Sequence, residues 1–164
     1  MRIRELERHE WALFRELRLR ALAESPDAFA RTLAEALAED DAYWVRLTES
    51  VTTPAGQVML VAEVEDRAAG LAFGLFDKER AKTGHVGGMW VEPAARGRGA
   101  GQALLESAIA WARVRGLERL ELWVTESNAA AIRMYERAGF SDTGRRDALP
   151  SHPSLRTIQM SLDL

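Results

Sequence analysis

A glycine-rich turn between an apolar run and an amphipathic run constrains this chain more than any other feature of its sequence. Residues 85–91, His-Val-Gly-Gly-Met-Trp-Val, predict a strand, and residues 100–115 predict a helix that ends before Gly116. Between them, the stretch Arg96-Gly-Arg-Gly-Ala-Gly101 has three glycines at alternate positions, where the backbone can adopt positive φ and present its N–H groups. Because those N–H groups and the helix dipole converge at a helix start, this stretch predicts a phosphate or pyrophosphate site.

Two common phosphate-binding patterns do not fit this turn. A nucleotide-hydrolysing P-loop ends in Gly-Lys-Ser/Thr, whereas Gly101 is followed by Gln102. A dinucleotide fingerprint that starts at Gly97 or Gly99 needs a further glycine where Gln102 or Leu104 stands. The sequence therefore favours a different phosphate-bearing ligand.

Two motifs identify that ligand by resemblance. Arg96-x-x-Gly99-x-Gly101, preceded by Val91-Glu-Pro93, resembles the acyl-CoA pyrophosphate loop of the GNAT superfamily (GCN5-related N-acetyltransferases). Residues 128–140, Asn-Ala-Ala-Ala-Ile-Arg-Met-Tyr-Glu-Arg-Ala-Gly-Phe, resemble that family's second signature, an Asn-initiated helix that carries a tyrosine and closes in Gly-Phe. Each motif alone is moderately specific, but both in this order are strong, and the resemblance covers most of the chain from about Val58 onward.

The remaining periodicities predict an α/β protein in a single domain over residues 1–164. Strands are predicted at residues 2–6, 120–124, 140–146 and 156–162, a hairpin at 58–64 and 69–76, helices at 7–23, 32–39, 41–48 and 128–138, and a loop at 50–56. This order predicts a mixed central sheet with helices on both faces. The resemblance implies that strands 85–91 and 120–124 run parallel but splay apart, with the pantetheine arm of CoA between them against the backbone of Met89, Trp90 and Val91.

Composition argues against several classes of partner. The net charge of −3 carries no nucleic-acid footprint, and no apolar run approaches the ~20 residues of a membrane-spanning helix. The chain has no cysteine, and its three histidines are scattered, so no metal is expected. We expect a cytoplasmic protein without a nucleic-acid or membrane partner, and family precedent for pairing of C-terminal strands leaves a homodimer open.

The resemblance assigns roles around the cofactor, acetyl-CoA. Its pyrophosphate is expected at Arg96, Gly97, Arg98, Gly99, Ala100, Gly101 and Gln102, although Arg98 could equally be solvated. Asn128 is expected to cap its helix and contact CoA. Tyr135 matches the family tyrosine that protonates the leaving thiolate, the alternative being a core tyrosine.

The general base is less well determined by the sequence. His85 suits the task because an imidazole titrates near neutral pH, although a packed strand-end histidine is an equal alternative. Glu92 is a second candidate and Glu63 a weaker third, and a water relay would need none of them. Backbone N–H groups between Gly88 and Trp90 are expected to meet the oxyanion. Phe29 and Trp123 are predicted acceptor contacts.

These expectations combine into an N-acetyltransferase that moves acetyl from acetyl-CoA to a primary amine of a small molecule or peptide by direct attack. Two alternatives remain open: an acyltransferase for a longer acyl-CoA, and a regulatory protein that binds acyl-CoA without chemistry.

Overall fold

A computed structural model describes residues 1–53 and 56–164 of the chain. The strands are β1 (Arg2–Glu5), β2 (Val58–Val64), β3 (Arg67–Phe76), β4 (Thr83–Val91), β5 (Arg119–Thr125), β6 (Ser141–Leu149) and β7 (His152–Asp163). The helices are α1 (Trp11–Glu24), α2 (Leu33–Leu37), α3 (Asp41–Val51), α4 (Ala100–Val114) and α5 (Ala129–Arg137). The seven strands form one sheet in the order β1-β2-β3-β4-β5-β7-β6, in which β4 and β5 are parallel and the other neighbours antiparallel.

The predicted mixed sheet with helices on both faces is confirmed. Successive residues of β2 point to opposite faces of the sheet and belong to two different hydrophobic cores. Leu60 packs in the core that α4 and α5 cover, and Val61 packs in the core that α1, α2 and α3 cover. The helices therefore cover opposite faces of the same strands. Among the described residues, no helix combines the length and the apolar character that a membrane crossing requires.

Helix boundaries follow from local side-chain chemistry. Thr32 and Glu35 form a capping box at the start of α2, and Asp40 accepts the Tyr43 N–H at the start of α3. Helix α3 continues to Val51, so the loop predicted at residues 50–56 begins later, and its residues 54 and 55 lie outside the described residues.

A bulge in β4 shapes the centre of the sheet. Leu71 pairs with Trp90 and Phe73 with Gly87, so two residues of β4 lie opposite one residue of β3. Gly88 adopts φ +58°, and a Cβ there would lie 2.1 Å from the Phe73 ring, so a side chain at this position would meet both backbone strain and a clash. Two glycines within a strand, here Gly87 and Gly88, are typical of a bulge or of a close backbone approach. The structure has a bulge there, just beyond the ladder that joins β4 to β5.

The gap between β4 and β5 begins directly after their short ladder. Thr83, Gly84 and His85 pair with the first three residues of β5, and beyond that point the described chain gives β4 no further partner on this side. Strand β5 instead continues along β7 as far as Thr125. The two parallel strands therefore splay apart, as expected, and leave one edge of β4 free to hydrogen-bond a ligand.

Candidate active site

A cleft of about 710 Å³ opens where β4 and β5 separate. Its walls come from the bulged half of β4, the start of α4, the end of β5, helix α5 and the segment after α1. Thirteen of the sequence-predicted site residues line it: Phe29, Met89, Trp90, Val91, Arg96, Gly97, Gly99, Ala100, Gly101, Gln102, Trp123, Asn128 and Tyr135. The splayed strands therefore bring the two sequence motifs, which lie far apart along the chain, to one cavity.

The start of α4 has the geometry of an anion site. Gly99 is the N-cap residue with φ 84°, and within the described chain no side chain caps this helix. The Ala103 N–H donates to the Gly99 carbonyl, so the N–H groups just before it have no acceptor inside the helix. Gly97 also has positive φ, with no described atom within 4 Å of where its Cβ would be. These free donors and the helix dipole are suited to a phosphate.

The two arginines of this turn differ in their surroundings. Arg96 lines the cleft, donates from Nε to the Val91 carbonyl at 2.8 Å and pairs with Glu24 at 2.6 Å. Arg98 pairs with Glu65 at 2.8 Å and is not among the described residues that line the cleft. Arg96 is therefore held at the site by two contacts, whereas Arg98 is an exposed ion pair.

Glu24 joins the end of α1 to this wall of the cleft. Its carboxylate accepts hydrogen bonds from Arg96, Ser25 and the indole Nε1 of Trp90, the last at 3.0 Å. Burial alone would raise the pKa of Glu24, but the three donors outweigh it and lower the pKa to about 2. The carboxylate is thus ionised at neutral pH and fixes Trp90 and Arg96 together.

Tyr135 lies in the wall contributed by α5 and is only 7% exposed. Its ring packs against Phe140 with a centroid separation of 6.0 Å, and its hydroxyl donates to the thioether sulfur of Met89 at 3.6 Å. Burial raises the pKa of Tyr135 to about 12, so the hydroxyl is protonated at neutral pH. It is a buried proton donor with a weak, long partner.

Asn128 has the capping role expected from its position. Its side-chain oxygen accepts the Ala131 N–H at 3.2 Å, and the residue also lines the cleft. A cap of this kind uses the oxygen and leaves the amide N–H groups for a ligand.

The three carboxylate and histidine candidates for the base are not among the described residues that line the cleft. His85 bonds Asp77 through Nε2 at 2.7 Å, and its Nδ1 lies 4.0 Å from Glu121. Glu92 pairs with Arg20 at 2.7 Å and with Arg67 at 3.2 Å. Glu63 pairs with Arg4 at 2.6 Å.

The sequence missed several cleft residues and several partners. Thr125 donates to the Asp27 carbonyl at 2.6 Å, which ties the end of β5 to the segment before Phe29. Trp123, 40% exposed, lies beneath Arg145. The other cleft residues without a prediction include Ala131 and Met134. No local pattern marks Thr125, whereas the position of Met134 beside Tyr135 could have indicated Met134.

Comparison with known proteins agrees with this geometry. The sequence model of a family described as "Acetyltransferase (GNAT) family" matches residues 6–140. Mycothiol acetyltransferase from Beutenbergia cavernae is 33% identical over 137 residues, which are 84% of this chain and 42% of that protein. The enzyme of the same name from Salinispora tropica is 33% identical over 130 residues, 76% of this chain and 39% of that protein. The chain thus spans about two fifths of these curated relatives.

Solved structures share the fold. Ribosomal-protein-alanine N-acetyltransferase from Brucella melitensis superposes with a TM-score of 0.79 at 23% identity, covering 100% of both chains. The structure of yncA from Salmonella typhimurium with its cofactor acetyl-CoA gives 0.80 at 24% identity, covering 100% of this chain and 94% of that one.

Proposed function

Because the chain belongs to the acetyltransferase (GNAT) family, we propose that it is an enzyme that transfers the acetyl group of acetyl-CoA to a primary amine. One observation carries the proposal: a single cleft is lined by an uncapped helix start, the free edge of β4 and a buried tyrosine hydroxyl. The uncapped helix start suits the pyrophosphate of acetyl-CoA, and the free strand edge suits its pantetheine arm. The tyrosine hydroxyl suits the thioester sulfur. We also propose that residues 1–164 act as one domain, since all the strands found in the described part of the chain belong to one sheet.

The residues present fit acetyl-CoA. The uncapped N–H groups around Gly99 and the guanidinium of Arg96 would hold the pyrophosphate, and the glycine at 97 leaves room for it. The free edge of β4 at Met89 and Val91 would pair with the amides of the pantetheine arm. When bound, acetyl-CoA supplies the thioester carbonyl that the amine attacks.

Two groups of this chain would assist the reaction, one at the oxygen of the attacked carbonyl and one at the leaving sulfur. Backbone N–H groups at the bulge between Gly88 and Trp90 would stabilise the oxyanion, because the ladder to β3 is interrupted there. Tyr135 would donate its proton to the departing thiolate. The transfer is unfavourable against an ordinary thiolate with a pKa of about 8.5, but a thiolate enclosed in the same cleft is also desolvated and therefore more basic.

His85 would act as the base through water. Its position on β4 is two residues from Gly87, so both point to the same face of the strand, roughly 7 Å apart. Asp77 holds Nε2 and leaves Nδ1 without a hydrogen bond in the described part of the chain, which gives a water one acceptor site. Glu92 and Glu63 are weaker proposals, because each is already neutralised by arginine.

Thermal unfolding with acetyl-CoA tests the proposal. A ligand at 100 times its dissociation constant stabilises the native state by about 2.7 kcal/mol, which for a domain of this size raises the unfolding midpoint by roughly 5–11 °C. ATP and NAD are the controls, since each carries phosphates without a pantetheine arm. A rise with acetyl-CoA alone, followed by thiol release in an amine panel, supports the enzyme. An equal rise with ATP contradicts it, and binding without thiol release favours a regulatory protein.

A further inference from the structure

The walls of the cleft carry positive charge. Among the described residues that line it, the ionisable side chains are Arg96, Arg137 and Tyr135, and none is a carboxylate. Arg96 is offset by Glu24 at 2.6 Å. The guanidinium of Arg137 has neither an ion pair nor a hydrogen bond in the part of the chain that the structure describes. Because Arg137 is exposed, an anion that enters the cleft can reach this cation.

Helix α5 places Arg137 next to the start of α4. A Cβ added at Gly101 would lie 3.3 Å from the sulfur of Met134, so α5 packs directly on the first turn of α4. Arg137 follows Met134 by three residues, which places it nearly one turn further along the same side of α5, at a rise of about 4.5 Å. Arg137 therefore lies beside the N–H groups around Gly99 without being one of the groups that surround them.

We propose that Arg137 binds the 3′-phosphate on the ribose of acetyl-CoA, and so makes the protein select donors that carry this phosphate. This inference rests on the proposed acetyl transfer and adds a residue that determines donor specificity. Acetyl-CoA has two phosphates in its pyrophosphate and a third on its ribose. The pyrophosphate already has the uncapped N–H groups of α4 and the guanidinium of Arg96. The ribose phosphate, with a charge of roughly −2 at neutral pH, still needs a cation.

The position of Arg137 also allows a purely structural role. A guanidinium holds two phosphate oxygens through paired N–H donors, which suits the proposed contact. Arg137 is, however, a basic residue in the last turn of α5, where a positive charge interacts favourably with the helix dipole. The two roles lead to different results, because stabilisation of a helix is indifferent to the ligand. Recognition of the phosphate distinguishes acetyl-CoA from its 3′-dephospho form.

Calorimetric titration with acetyl-CoA and with acetyl-3′-dephospho-CoA, which lacks only this phosphate, tests the inference. The readout is the ratio of the two dissociation constants, and it requires no acceptor. We expect wild type to bind acetyl-CoA about 3- to 10-fold more tightly than the dephospho form. This preference is smaller than a shielded charge-assisted hydrogen bond would give, because Arg137 is exposed.

Arg137→Gln should bring the ratio close to one and leave the affinity for the dephospho form unchanged, and Arg137→Lys should keep part of the preference. Arg133→Gln is the matched control. Arg133 is an exposed arginine one turn earlier on α5, and it is not among the described residues that line the cleft. The control should therefore leave the ratio unchanged. Thermal unfolding without ligand measures what each arginine contributes to the helix itself.

Three results would overturn the inference while the proposed function stands: equal affinity of wild type for the two donors, an unchanged ratio in Arg137→Gln, or the same loss of preference in Arg133→Gln. The second result, if both ligands weaken together, would assign Arg137 to the pyrophosphate. If acetyl-CoA does not bind at all, the proposed function itself fails.

Discussion

Replacing Tyr135 by phenylalanine should separate the proposed catalytic role of its hydroxyl from the stability of the fold. The substitution removes one oxygen and keeps the ring packed against Phe140. The lost hydroxyl contacts only a thioether in the described chain, the Met89 sulfur at 3.6 Å, so no strongly polar group is left unpaired. We therefore expect the free energy of unfolding to change by less than about 0.5 kcal/mol, or about 1–2 °C in midpoint.

The expected catalytic effect is much larger. Loss of a positioned proton donor lowers turnover by about 10²- to 10⁴-fold, equivalent to roughly 2.7–5.5 kcal/mol of transition-state stabilisation. The assay is thiol release at saturating acetyl-CoA and acceptor, with acetyl-CoA affinity measured by calorimetry. The affinity should stay within about threefold of wild type, because the role proposed for the hydroxyl is confined to the step in which the sulfur leaves.

Turnover of the phenylalanine variant within about threefold of wild type, at normal affinity, would refute the assignment of Tyr135 as the acid. The pH dependence gives a second check. Burial raises the pKa of Tyr135 to about 12, so the proton is retained up to pH 10 and stability falls only as the pH rises from about 10 towards 12. A decline in rate between pH 7 and 9 must therefore come from another group.

Four further substitutions, of which Gly116→Ala is a control outside the cleft lining, test other parts of the proposed site. Gly99 and Gly116 have φ 84° and 70°, which strain an L side chain, so Gly99→Ala and Gly116→Ala should each lower the free energy of unfolding by about 1–2 kcal/mol. Only Gly99→Ala should also reduce the rise in unfolding midpoint that acetyl-CoA causes. Although burial opposes it, hydrogen bonding lowers the pKa of Glu24 to about 2, so its contribution is complete above about pH 4.5 and lost as the pH falls towards 2. Above that pH range, the free energy of unfolding of wild type should exceed that of Glu24→Gln by about 1 kcal/mol, after allowance for partial exposure. Thermal unfolding scans should show this difference shrink as the pH falls through the range. His85→Gln should lower the rate and change its pH profile, and an unaltered profile would exclude His85 as the base.

The cofactor side of the site was predictable because its signals are local. The glycines at 97 and 99 adopt the positive φ that their spacing indicated, and Asn128 caps the helix that it begins. Each of these features depends on backbone geometry within a few residues. Short-range sterics and hydrogen bonds are encoded directly in the residue types.

The acceptor side was less predictable because its charges are distributed over distant segments. Nothing local to His85 shows that Asp77 binds its ring or that Glu121 lies 4.0 Å away, since Glu121 belongs to β5, which is distant in sequence and pairs with β4 only at its start. Likewise, the sequence indicates Glu92 as a candidate base, and only the fold shows that Arg20 and Arg67 pair with it. Which carboxylate remains free depends on which arginine reaches it.

By itself, the sequence determined the order of the elements, the glycine positions in β4 and the glycine-rich start of α4. Each follows from periodicity or from the conformational freedom of glycine, which act over a few residues. The tertiary structure alone decided that β4 and β5 separate to form one cleft and that Glu24 joins Trp90 to Arg96. These outcomes depend on burial and on distances between charges from separate elements, and packing sets both.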